Sequence, residues 1–269
     1  MIERSTVEEH GYINNRPEAK NFLSVVSFEN INNSDTNIIS IISNKGGVGK
    51  TSLAVCAGFY YSSRSDAKTL VLELDSSPGD FGPIFDIEPS VSLEMALKFP
   101  GSFKNYKKNL KENLDVMKGL SDPLAAEGVG RENLYRLINN LCREYKNIIF
   151  DTQTVLNSLT LDVLVISKTI FLVSDCSLES MTRILNLFEI LTKKFLISYS
   201  KIKLILNKKR FFDFLKIWDF AKITDMPVEG FISYDARFTK LLFMSNPKKI
   251  FITKIYKQLA GILKNGSKG

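Results

Sequence analysis

The chain has 269 residues, of which 44% are apolar and 24% are charged. This composition is typical of a globular protein with a substantial core, and it excludes disordered and fibrous classes. The three cysteines form no CxxC pair and there is one histidine, which excludes a disulfide framework and argues against zinc, iron–sulfur and histidine-based chemistry.

The net charge of +7 is distributed unevenly. From position 193 onward the chain carries 17 Lys and Arg against 5 Asp and Glu, whereas the preceding part is slightly acidic. A basic C-terminal third predicts binding to nucleic acid, anionic lipid or an acidic partner, and a solvated lysine-rich surface is the alternative. The sequence shows neither a secretory signal nor an apolar run long enough to span a membrane, so we expect a cytoplasmic protein.

Residues 1–36 are polar and are predicted to form an extension, and residues 37–269 a single domain. In this domain short β-branched runs alternate with segments of helical periodicity. We predict strands at 37–43, 69–74, 114–117, 147–151, 169–174, 201–206 and 228–233, and helices at 50–62, 131–145, 178–196, 211–223, 236–244 and 250–264. This alternation predicts a doubly wound α/β fold with a mostly parallel sheet.

The most specific motif follows the first predicted strand and opens the first predicted helix. Its glycines allow successive N–H groups to point inward, and the helix N-terminus adds a positive dipole end. Lys50 would reach the β and γ phosphates, and the Thr51 hydroxyl would bind Mg²⁺. Asn44 stands where the GxxxxGK[ST] pattern has its first glycine. The whole segment reads Ser43-Asn44-Lys45-Gly46-Gly47-Val48-Gly49-Lys50-Thr51-Ser52. The alternative interpretation is a glycine-rich turn whose lysines have no role in phosphate binding.

The KGGxGKT sequence resembles the deviant Walker A motif of the MinD/ParA superfamily of P-loop ATPases. The resemblance implies ATP and Mg²⁺ as cofactors. It further implies that Lys45 crosses an ATP-dependent homodimer interface and contacts the partner's ATP. There Lys45 would act in catalysis as an arginine finger does, together with the catalytic Lys50. The residues implied to bind the nucleotide are Lys45, Gly46, Gly47, Val48, Gly49, Lys50, Thr51 and Ser52.

Further candidate residues lie at or directly after the ends of three predicted strands, at the sheet edge where ligands of open α/β folds bind. By the resemblance, Asp75 orients the attacking water and joins the metal site, and Glu73 replaces an aspartate near the magnesium shell. Asp151 resembles the Walker B carboxylate, a magnesium ligand, and Asn207 resembles the asparagine that binds the adenine edge. Turn residues are the alternative for Asp75 and Asn207.

The segment 78–87 resembles the first switch loop of the CpaE/TadZ branch, which contains MinD-like ATPases that localise pilus assembly. This implies slow ATP hydrolysis that positions a cellular assembly, a peripheral location at a membrane or pole, and an activating protein partner. The 36 residues before the ATPase segment are fewer than the receiver-like domain typical of that branch. A ParA-like ATPase for DNA partition and a nucleotide-binding scaffold that does not hydrolyse ATP therefore remain alternatives.

The basic C-terminal third suggests two platforms, an anionic membrane or nonspecific DNA. The apolar residues of segment 250–264 recur at helical spacing, which predicts a helix that packs on the sheet or one that lies on a membrane. Segment 211–218 is aromatic and is predicted to be a core helix. The apolar stripe of the last segment comprises Ile252, Ile255, Leu259, Ile262 and Leu263.

Overall fold

The computed structural model describes residues 34–64, 67–74, 79–120, 130–213, 228–236 and 247–266, and six single positions besides: 31, 219, 220, 222, 226 and 238. The predicted site residue Asp75 lies outside the described residues. So do most of the predicted extension and much of the predicted helices at 211–223 and 236–244.

The described strands form a single eight-stranded sheet in the order β3-β4-β2-β5-β1-β6-β7-β8. All neighbouring strands are parallel except β3 and β4, which are antiparallel. The predicted doubly wound α/β fold and its seven strands are confirmed, and β3 was missed. The strands are β1 (Asn37–Ile42), β2 (Thr69–Glu73), β3 (Lys108–Lys111), β4 (Leu114–Met117), β5 (Asn147–Asp151), β6 (Thr169–Ser174), β7 (Ile202–Lys209) and β8 (Val228–Ser233).

Helices connect the strands. Short 3₁₀ segments lie at Pro100–Tyr106, Tyr199–Lys201 and Pro247–Ile252, and α6 continues into a π-helical turn at Ile190–Lys194. The helices predicted at 50–62, 131–145, 178–196 and 250–264 are present, whereas α2, α3 and α5 were not predicted. The α-helices are α1 (Lys50–Ser62), α2 (Phe81–Phe85), α3 (Leu93–Lys98), α4 (Arg131–Glu144), α5 (Ser158–Ile166), α6 (Leu178–Glu189) and α7 (Lys254–Gly266).

The central strands are buried on both faces, which explains their almost uniformly apolar sequences. In β1, for example, Ile39 and Ile41 join the apolar cluster that contains α1 and α7, while Ile38 joins the cluster that contains α4. Such alternation requires apolar residues at successive positions, because neighbouring side chains of a strand point to opposite faces.

Four of the five residues of the predicted apolar stripe lie in α7 and pack into the core, which confirms the packing interpretation for them. The fifth, Ile252, lies in the preceding 3₁₀ segment and is 69% exposed, so its predicted place on the packed stripe is wrong. Ile255, Leu259, Ile262 and Leu263 are each less than 10% exposed and join the cluster of α1. These side chains are therefore not available for insertion into a membrane. Within the described part of the chain, no helix combines the length and the apolar character required to cross a membrane.

The strand order places β1 at the centre of the site, with β5 and β6 on either side. Because these strands are parallel, their C-terminal ends meet at one edge. The loop after β1, Asp151 at the end of β5 and the segment after β6 are thus brought together.

Candidate functional site

The loop between β1 and α1 has the backbone geometry of an anion cradle. Gly47 has a φ of 72° and Gly49 a φ of 98°, values in the left-handed region that L side chains rarely adopt. The N-terminus of α1 follows directly, without a side-chain cap, so its first N–H groups can bind a ligand. Gly46 and Gly47 are exposed, which leaves the loop accessible to a phosphate.

Two side chains at the end of β7 donate hydrogen bonds to backbone carbonyl groups of this loop. The Asn207 amide nitrogen donates a hydrogen bond to the Val48 carbonyl oxygen at 2.7 Å, and Lys208 Nζ donates one to the Gly47 carbonyl oxygen at 2.5 Å. A Cβ atom on Gly49 would lie 2.5 Å from the Asn207 amide nitrogen. Glycine is therefore required at position 49 by both backbone angle and space.

Asn207 also carries a buried acceptor. The residue is 2% exposed, and its Oδ1 atom has no hydrogen-bond partner among the described residues. A buried acceptor without a partner is costly in a folded protein. The amino group of a bound adenine would satisfy it, so the adenine-binding role of Asn207 stays a prediction that this orphaned atom favours.

We call the loop between β1 and α1, residues 43–49, the phosphate loop. The Lys45 side chain points from this loop towards the start of α6. Its Nζ atom lies 3.0 Å from Asp175 Oδ2, 3.3 Å from the Ser177 hydroxyl and 3.5 Å from Glu179 Oε2. The hydrogen bond to Asp175 raises the pKa of Lys45 above its ordinary value. We call Asp175, Ser177 and Glu179 the acidic clamp.

Local hydrogen bonds fix the clamp at the N-terminus of α6. Ser177 caps this helix by accepting the Ser180 N–H. Asp175 accepts hydrogen bonds from both the backbone N–H and the hydroxyl of Ser177. Burial raises the pKa of Asp175, but the hydrogen bonds from Ser177, Ser180 and Lys45 outweigh it and lower this pKa to about 2. Asp175 is therefore a carboxylate throughout the neutral range.

A second pair of contacts joins the loop to α6. The Asn44 amide nitrogen donates to the Arg183 carbonyl oxygen, and the Arg183 guanidinium donates to the Asn44 carbonyl oxygen, both at 3.3 Å. Asn44, the departure from the GxxxxGK[ST] pattern, thus serves as an anchor. Neither the clamp nor this anchor was predicted from the sequence. The signal for the clamp was a carboxylate directly after a buried parallel strand, the same signal that singled out Asp151.

Glu73, which the resemblance places near the magnesium shell, has both carboxylate oxygens hydrogen-bonded to backbone N–H groups. Its Oε1 accepts the Phe81 N–H at 3.1 Å and its Oε2 accepts the Gly119 N–H at 2.9 Å. A Cβ atom on Gly79 would collide with the carboxylate. Burial raises the pKa of Glu73 to about 7, although these N–H groups lower it. Glu73 therefore joins the loops that follow β2 and β4.

Thr51 and Asp151, the predicted magnesium ligands, carry oxygen atoms of the kind that could bind a magnesium ion. Asp151 is 3% exposed at the end of β5, where it pairs in register with Ile41 of β1, and Thr51 lies in the first turn of α1. Hydroxyl and carboxylate oxygens are the donors that Mg²⁺ prefers. Thr152, which follows, donates its hydroxyl to the Ile41 carbonyl oxygen at 3.0 Å and attaches the next loop to β1.

Solved structures share this fold. A ParA family ATPase from Chlorobium tepidum superposes with a TM-score of 0.75 at 19% identity, over 85% of this chain and 99% of that one. The Pyrococcus horikoshii septum site-determining protein MinD complexed with Mg-ADP gives 0.69 at 21%, over 87% and 96%. A plasmid partition protein from Borrelia burgdorferi bound to AMPPNP gives 0.69 at 20%, over 87% and 99%.

No curated protein sequence matches the chain, but a family profile does. The profile of the nucleotide-binding domain shared by CobQ, CobB, MinD and ParA matches residues 39–246, which is most of the chain and includes the phosphate loop. The chain therefore belongs to the CobQ/CobB/MinD/ParA nucleotide-binding domain family.

Proposed function

We propose that this chain is an ATP-dependent, dimerising switch ATPase that hydrolyses ATP slowly and positions a cellular assembly, as members of the CpaE/TadZ branch do. The proposal rests chiefly on one observation, the glycine cradle at the start of α1 with a second lysine projecting out of it. Relatives of the same fold bind Mg-ADP and AMPPNP, which supports ATP and Mg²⁺ as ligands. We assign this activity to residues 37–269 and treat residues 1–36 as an extension.

Within this proposal each candidate site residue has its own role. The N–H groups of residues 46–52 bind the phosphates, Lys50 neutralises the β and γ phosphates, and Asn207 accepts a hydrogen bond from adenine. Thr51 and Asp151 would hold Mg²⁺, which neutralises charge on the phosphate oxygens. Asp75 would orient the water that attacks the γ-phosphate.

The role of Lys45 requires a second subunit. In one subunit Lys45 is engaged by the acidic clamp. We infer that ATP binding allows two subunits to meet through their phosphate loops, and that Lys45 then leaves the clamp for the partner's ATP. The neutralising charge in catalysis would thus be available only in the dimer, which makes hydrolysis depend on assembly.

Replacing Lys45 tests the proposal. Lys45→Ala should retain ATP binding but lose ATP-dependent dimerisation, and its turnover should fall at least about a thousandfold, the range typical of an arginine finger. Sedimentation velocity with ATP and a phosphate-release assay measure the two effects. Lys98→Ala, which removes an exposed lysine paired with Glu94, is the matched control. Normal turnover by Lys45→Ala would refute the role in the partner's site.

A ParA-like partition ATPase is the second candidate, because the relatives that share the fold include a ParA family ATPase and a plasmid partition protein. DNA would then be the platform, and nonspecific binding would weaken steeply with salt. Phosphate release measured alone, with duplex DNA and with anionic vesicles distinguishes the candidates by which surface stimulates it. ATP binding without phosphate release under all three conditions would instead indicate a nucleotide-binding scaffold.

A further inference from the structure

Two phenylalanines after β7 are the most exposed large apolar side chains among the described residues. Phe211 is 85% exposed and Phe212 92%. Their rings pack edge to face with centroids 5.0 Å apart. Asp213 stabilises the turn by accepting the Arg210 N–H at 2.6 Å. The turn therefore holds both rings outward, and the prediction that these two residues begin a core helix is wrong.

Two basic residues immediately precede the two phenylalanines, and each lies over the ring of another aromatic residue. The Arg210 guanidinium lies 4.6 Å from the ring centre of Tyr234, a residue that is itself 45% exposed, and Lys209 Nζ lies 6.0 Å from the ring centre of Phe231. These stacked positions hold the charged groups beside aromatic surface. We call Lys209, Arg210, Phe211, Phe212 and Tyr234 the aromatic tip.

We propose that the aromatic tip docks this protein on an anionic lipid membrane. The two phenyl rings would enter the boundary between headgroups and acyl chains, where apolar surface is removed from water. Lys209 and Arg210 would bind lipid phosphates, because basic residues beside a membrane are attracted to its negative surface. The basic C-terminal third would add a long-range attraction of the same sign.

The charge and burial of neighbouring residues favour a membrane over other occupants. A second copy of the tip would bring like charges together. Phosphates of duplex DNA would pair with the cations but would leave the phenyl rings in water. The apolar stripe of α7 is already buried, so the described part of the C-terminal helix offers no alternative anchor.

The tip is also connected to the phosphate loop. Asn207 and Lys208, which immediately precede it, bind the carbonyl oxygens of Val48 and Gly47. This inference rests on the proposed function in one respect only: an ATP-bound dimer would present two tips, so its binding to vesicles should be tighter than that of one subunit.

Vesicle sedimentation tests the inference. The full chain should bind vesicles of phosphatidylcholine with phosphatidylglycerol, and should not bind vesicles of phosphatidylcholine alone. The double variant Phe211→Ser/Phe212→Ser should bind at least about tenfold more weakly, from the apolar area that two rings bury. Phe99→Ser is the matched control, because Phe99 is 52% exposed on a different part of the surface. Arg210→Gln should weaken binding and reduce its salt dependence.

Binding of a fluorescent ATP analogue separates this inference from the proposed function. If the protein does not bind the ATP analogue but binds vesicles in a way that depends on both phenylalanines, the tip is supported and the proposed function is refuted. ATP binding without vesicle binding would refute the tip alone. Equal binding by the double variant and the wild type would also refute it. A further outcome would refute the tip as a membrane site: the wild type does not bind vesicles, and the double variant loses dimerisation or DNA binding.

Discussion

Glu73 is buried in the structure, and its two carboxylate oxygens accept N–H groups from different loops. Glutamate at this position has a side chain long enough to reach beyond the end of β2, and Gly79 leaves room for the carboxylate. The resemblance alone assigned this position to the magnesium shell. The identity of a residue and its place at a strand end indicate that a carboxylate is near the site, but its direction depends on the loops around it.

Replacing Glu73 should change how stability depends on pH. Because the pKa of Glu73 is raised from 4.5 to about 7 in the folded state, the native state binds this proton more tightly than the unfolded chain. The contribution of this group to the free energy of unfolding should therefore fall as the pH rises from about 4.5 to about 7, by up to about 3 kcal/mol. Glu73→Gln has no proton to lose there, so this fall should disappear.

Urea unfolding at pH 5 and pH 8 measures this difference. The glutamine variant should be less stable than the wild type at pH 5, because its amide NH₂ faces a backbone N–H, and should lose less stability towards pH 8. Glu94→Gln, at a helix surface and paired with Lys98, should keep the pH profile of the wild type. The idea fails if Glu73→Gln and the wild type lose equal stability between the two pH values.

The elements that sequence patterns predicted are those with a clear apolar pattern. The central strand β5 has a continuous apolar run at 148–150, and α4 has one apolar face. By contrast, α2 and α3 have five and six residues, too few for a helical period to show. Almost every residue of α5 is buried, so its apolar run has no polar face to reveal the helix. β3 is polar and lies at the sheet edge.

The loop that joins β1 to α1 should tolerate alanine at one glycine and not at another. Gly49→Ala places a Cβ atom at a φ of 98° and against Asn207. It should lower the free energy of unfolding by roughly 2 to 3 kcal/mol, from backbone strain and the lost hydrogen bond to Val48. Gly46→Ala, with no atom within 4 Å of the added carbon, is the control and should unfold at nearly the wild-type urea concentration. Equal midpoints for both variants would contradict the clash.

At the scale of the whole molecule, the sequence predicted that the candidate residues lie at one edge of the sheet but not how their side chains pair. The loop glycines, Lys50, Thr51, Asp151 and Asn207 all lie at the edge where the parallel strands end. The acidic clamp was not predicted, because its contact with Lys45 joins residues about 130 positions apart and depends on the orientation of flexible side chains. Such pairing is determined by tertiary structure rather than by local pattern.

The clamp should set the balance between single subunits and ATP-bound dimers. Asp175→Asn keeps the size of the side chain but removes the charge that holds Lys45 at 3.0 Å. Because the ion pair is partly exposed, its loss should favour the dimer only modestly, and the dissociation constant with ATP should fall about two- to fivefold. Sedimentation velocity over a range of concentrations measures this constant. Glu189→Gln, which breaks an exposed ion pair with Lys193 at the end of α6, should leave it unchanged. A weaker dimer in Asp175→Asn would mean that Asp175 binds the partner's lysine, and that the clamp acts in the assembled state rather than before it.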